Sequence, residues 1–139
     1  MKLKRNSTSE TVSLEDGFLW SDEFSWKAIE QKQEYAIDGS LIIQEGTKKS
    51  GRPITLQPAD TTMGWIRLVD LRTVLAWSKL QNETFTLQFE QPHDNRQFTV
   101  KFNHQDGAID ASPVKSNPAI SLDDYYNLIL RFTELNDGN

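Results

Sequence analysis

The strongest pattern in the chain is alternation of apolar and polar residues with period two, the signature of strands with one buried face. Between Asn82 and Phe102, Phe85, Leu87 and Phe89 alternate with Thr84, Thr86 and Gln88, then Phe98, Val100 and Phe102 alternate with Gln97, Thr99 and Lys101. The intervening Gln91-Pro92-His93-Asp94-Asn95 has turn chemistry, because proline presets one dihedral and asparagine tolerates the left-handed region. This stretch predicts a hairpin. Tyr126, Leu128, Leu130 and Phe132 share one parity and predict a terminal strand over Tyr125 to Leu135.

Upstream, Tyr35, Ile37, Leu41 and Ile43 share one parity and predict a half-buried strand from Gln33 to Ile43, with Gly39 marking a bulge or a close backbone approach. Its expected partner is Pro53 to Leu56, which leaves Glu45 to Arg52 as an exposed hairpin tip carrying Lys48, Lys49 and Arg52. Met63 to Leu68 reads as a short strand, and Ala108 to Val114 as a short edge strand. Gly17 to Ile29 reads as two short strands, or a strand and a turn.

Only one segment has a helical period. From about Val69 to Gln81, Leu71, Val74, Leu75, Trp77 and Leu80 form an apolar arc, Asp70 is placed to cap the start, and Arg72, Ala76 and Lys79 fall on the solvent side. No second long helix is available to receive that arc, so it must lie on a sheet. The sum is a mainly β chain: an antiparallel β-sandwich or barrel of about seven or eight strands with one flanking α-helix. Residues 1–13 lack periodicity and read as a flexible N-terminal arm, 14–136 as a single β-rich domain, and 137–139 as a C-terminal tail.

Composition narrows the function classes. A net charge of −5 does not supply the basic face that nucleic-acid binding needs, so specific nucleic-acid binding is not expected. The absence of cysteine excludes disulfides, thiolate metal sites and thiol nucleophiles, and the start of the chain has no apolar core of a secretory signal. No apolar run is long enough for a membrane-spanning helix, so no membrane partner is expected.

Candidate chemistry is thin. His93 and His104 flank turns, and their acidic neighbours Asp94, Asp106 and Asp110 do not make a metal set with recognisable spacing. The pairs Asp22-Glu23 and Asp123-Asp124 read as solvated acids at strand boundaries. No serine elbow, phosphate loop or dinucleotide fingerprint occurs, so no catalytic residue, metal or cofactor is assigned and no enzyme is expected. Two surfaces remain: the basic loop of Lys48, Lys49 and Arg52, and an aromatic patch of Trp20, Phe24 and Trp26. The patch is a carbohydrate platform if exposed and core if buried.

The segment Gly39 to Leu56 resembles small proteins encoded in the tail-module region of tailed phages and prophages. The resemblance rests on Trp20-Ser21-Asp22-Glu23-Phe24, Gly39 with its apolar run, Glu45-Gly46, and Gly51-Arg52-Pro53-Ile54-Thr55-Leu56. Phe98-Thr99-Val100, Asp106-Gly107-Ala108-Ile109, and Tyr126, Leu128, Leu130 and Glu134 at the close add to it. It implies a non-enzymatic structural component of a phage or prophage tail, assembled in the bacterial cytoplasm and located in the virion tail. Its implied partners are copies of itself, in a ring or other homo-oligomer, and other tail proteins. The alternative expectation is a carbohydrate-binding module using the aromatic patch.

Overall fold

A computed structural model describes residues 1–115 and 117–135. The expected tail at 137–139 lies outside the described residues. The fold is mainly β, antiparallel and sandwich-like, with one helix, as the alternation predicts. Strand β11 (Tyr125–Glu134) is its spine. One edge of β11 pairs with β7 (Trp65–Arg67) through residues 125–127 and with β6 (Pro53–Pro58) through residues 130–133. The other edge pairs with β10 (Ile109–Pro113) and then β9 (Gln97–Phe102).

From β9 the sheet continues through β8 (Phe85–Gln88) and β1 (Lys2–Arg5) to β2 (Thr11–Ser13), and from β6 it continues to β3 (Phe18–Trp20). Alternate residues of these strands point inward. Leu3, Ile54, Leu56, Leu87, Val100, Leu128 and Leu130 are fully buried, and Phe85 and Phe132 nearly so. Trp20 on β3 stacks on Phe89 beside β8, with ring centroids 5.6 Å apart. These strands are far apart in the sheet order, so the contact crosses the interior and the sheet is rolled around its core.

The residues expected to be a flexible arm are part of this sheet: β1 lies between β2 and β8, with Leu3 and Val12 buried. The pattern was hidden because the strands are only four and three residues long and their outer positions are Lys, Thr and Ser. Helix α1 (Leu68–Ser78) packs on β7, β11 and β2 through Leu71, Val74 and Trp77. Its apolar arc is narrower than expected, with Leu75 and Leu80 exposed. Asp70 lies in the first turn and pairs with Arg67, but no side chain caps the helix start.

One element stands apart. Among the described residues, strands β4 (Ile29–Tyr35) and β5 (Leu41–Thr47) pair only with each other, and every residue in both is exposed. The expected pairing of Gln33 to Ile43 with Pro53 to Leu56 is therefore replaced. The first segment is cut by a turn, while the second lies in the body between β11 and β3. Splitting that segment and adding β1 and β2 raises the strand number to eleven among the described residues.

Candidate functional site

The projecting β4–β5 ribbon turns through Ala36 to Ser40. Gly39 donates its N–H to the Ala36 carbonyl and adopts φ +86°, the type I turn plus left-handed residue of a three-residue hairpin loop. Asp38 accepts hydrogen bonds from the N–H and hydroxyl of Ser40, and these hold its carboxyl below the usual range. Gly39 is thus the left-handed glycine bulge of the hairpin loop and not a close approach, since a Cβ there would meet nothing within 4 Å.

Directly paired residues of antiparallel strands share a face. Tyr35 is opposite Leu41, and Gln33 opposite Ile43, so Tyr35, Leu41 and Ile43 make an apolar strip on one face toward the tip. Ile37 extends it at the turn, fully exposed at 109%. The other face carries Glu30, Lys32 and Glu34 with Gln44 and Ile42 opposite, and Lys32 and Glu34 pair at 2.7 Å. A ribbon of two strands is marginal by itself in water, and both outer edges of this one present unpaired backbone groups. An exposed apolar strip beside unpaired edges is a surface whose burial would be favourable.

The root of the ribbon is firmly held. The Asp22 carboxylate accepts from the Thr55 N–H at 2.9 Å and from its hydroxyl at 2.8 Å, while Ser21 N–H donates to the Thr55 carbonyl. Arg52 donates to the Glu23 carbonyl at 2.9 Å, and its guanidinium lies 4.5 Å from the centre of the Trp20 ring. Arg96 approaches the same ring at 5.4 Å and bridges Glu23 at 2.6 Å and Asp94 at 2.7 Å. The hydrogen bonds from Arg96 draw the Asp94 carboxyl down to about 2 and push the guanidinium up. Lys48 pairs with Glu30 at 3.7 Å and sits over the Trp26 ring.

These contacts redistribute the residues singled out by sequence. Lys48 and Arg52 are not at a hairpin tip; they clamp the root of the ribbon, and Lys49 is exposed beside them. The aromatic patch is not one platform. Trp20 is core, with its Nε1–H directed to the Pro53 carbonyl at 3.4 Å; Trp26 is half-buried beneath Lys48 and Arg52; Phe24 is 94% exposed. Asp22 and Glu23 tie backbone and guanidinium together. His93 and His104 are both exposed, and among the described residues no group of three or more His, Asp or Glu side chains could hold a metal ion. No helix among the described residues is long and apolar enough to cross a membrane.

Sequence reasoning missed the ribbon although its signal was present. Tyr35 and Leu41 are an even number of residues apart, so the alternation runs unbroken through the turn and reads as one strand. The Asp38-Gly39-Ser40 cluster was the mark that a turn intervenes. Against models of known protein families, curated proteins and solved structures, the chain finds no match.

Proposed function

We propose that this chain is a non-enzymatic structural subunit that works by self-association, as a component of a phage or prophage tail. The observation that carries the reading is the β4–β5 ribbon, whose apolar strip of Tyr35, Ile37, Leu41 and Ile43 is left in water on two strands that no other strand among the described residues joins. Exposing such a strip costs solubility unless a partner covers it, and the clamp at the root aims the ribbon away from its own body. The mainly β fold with one helix agrees with a tail-protein architecture, and the sequence resemblance to tail-module proteins directs the proposal to a tail. Other tail proteins are its further partners in this reading.

The test is light scattering across a concentration series, comparing the whole chain with a variant in which residues 29–47 are replaced by a short Gly-Ser linker. Mass that rises with concentration in the parent and not in the variant supports the proposal. Equal masses for both exclude the ribbon as the assembly element. Electron microscopy of the concentrated parent protein then distinguishes rings or tubes from unordered aggregates.

A further inference from the structure

The ribbon tip and helix α1 have complementary surfaces. Residues 33–45 carry Glu34, Asp38 and Glu45 and no lysine or arginine, together with the apolar strip. Residues 72–80 carry Arg72 and Lys79 and no carboxylate, and their exposed positions include Leu75, Ala76 and Leu80. The only acid in the preceding helical turn, Asp70, is engaged by Arg67. None of the ion pairs among the described residues uses Arg72 or Lys79. On the ribbon, among the described residues Asp38 has Ser40 as its hydrogen-bond partner, and Glu45, on the same face as Leu41 and Ile43, is met by the neutral Gln31 amide and by no cation.

Resting on the self-association reading above, we propose that the β4–β5 tip of one copy docks on the exposed face of helix α1 of a second copy. Ile37 and Leu41 meet Leu75, Ala76 and Leu80, while Asp38 at the turn and Glu45 on the apolar face meet Arg72 and Lys79. Leu75 and Leu80 belong to the helix's apolar arc yet are not covered by its own sheet, and docking gives them a partner. Two copies that exchange tips reciprocally close a two-fold dimer, whereas copies without that exchange offer a tip to one neighbour and a helix to another. Repetition closes a ring if the rotation closes and extends a filament if it does not.

Charge reversal tests this. Asp38→Lys with Glu45→Lys makes a tip variant, and Arg72→Glu with Lys79→Glu makes a helix variant. All four positions are at the surface and far from the core, so circular dichroism should report native folding for both. Each variant alone should lose at least tenfold in association constant by sedimentation, and mixing them in equal amounts should restore association. Restoration is expected because the mixture contains both the reversed contact and the original one.

A second measurement uses the natural absence of cysteine. Ile37→Cys and Ala76→Cys chains, mixed and oxidised, should cross-link to each other in preference to themselves. A parent that stays monomeric at every concentration overturns both this inference and the reading it rests on. A parent that associates but ignores the charge reversals, or cross-links without preference, overturns the docking inference alone.

Discussion

Trp20→Ala separates a core residue from a binding platform. The Trp20 ring is 7% exposed, stacked on Phe89 at 5.6 Å and edge-on to Phe98 at 5.4 Å. Removing a buried tryptophan costs ~3–5 kcal/mol by lost transfer energy and the cavity left behind. The stacked guanidiniums of Arg52 and Arg96 each add about 0.5–1 kcal/mol if partly exposed. The expected loss is ~4–7 kcal/mol, against a total stability of ~5–15 kcal/mol for a domain of this kind.

Urea denaturation followed by circular dichroism measures it. With a denaturant slope of about 2 kcal/mol per molar, the midpoint should fall by ~2 M or more. Phe24→Ala is the control: its ring is 94% exposed, so the midpoint should move by no more than ~0.5 kcal/mol in stability. Trp20→Ala costing less than about 1 kcal/mol, or Phe24→Ala costing as much as Trp20→Ala, would refute the assignment of Trp20 to the core.

Deleting residues 1–13 should be severe, because Met1, Leu3 and Val12 are buried and lose ~1.5–3 kcal/mol each, and β8 loses its neighbour; an unchanged melting temperature would return these residues to the status of a loose arm. Asp94 should titrate at about 2 by NMR, below its ordinary 3.8. Because its folded value is depressed, its stabilising contribution is fully present above about pH 4 and is lost as pH falls toward 2, a loss that Asp94→Asn should remove from the stability profile. Gly64→Ala should cost more than Gly39→Ala in thermal unfolding. Both glycines have positive φ, but a Cβ on Gly64 would lie 2.7 Å from the Pro58 Cα, whereas Gly39 has open space. The expected costs are ~2–5 kcal/mol for Gly64→Ala and ~1–2 kcal/mol for Gly39→Ala.

Alternation within long strands was readable directly. Phe85 to Phe102 and Tyr125 to Glu134 form the predicted hairpin and terminal strand, with the predicted residues inward. Those signals are local and repeated, so they survive without knowledge of partners. The pairing of Leu41 to Thr47 was not readable in the same way. An amphipathic strand carries the same alternation whether its apolar face meets its own core or is held out in water, and only the three-dimensional arrangement decides.

The helix shows the same limit. Leu75 and Leu80 complete an apolar arc in sequence, but the sheet covers only Leu71, Val74 and Trp77. The candidate site thus consists of apolar positions that period analysis assigns to the core and the fold leaves outside. Lys48 and Arg52 illustrate the converse: a run of charge that reads as a solvated tip is bound to Trp20 and Trp26, because a guanidinium stacks on an aromatic face without losing its hydration entirely.

The most direct test of assembly through the ribbon is sedimentation equilibrium of the parent beside Tyr35→Thr/Leu41→Thr/Ile43→Thr. Threonine keeps strand propensity while removing the apolar strip. The account predicts that the parent's average mass climbs above the 16.0 kDa of one chain with rising concentration, while the variant, still folded, stays at that mass. Indistinguishable mass profiles for the two proteins would contradict it.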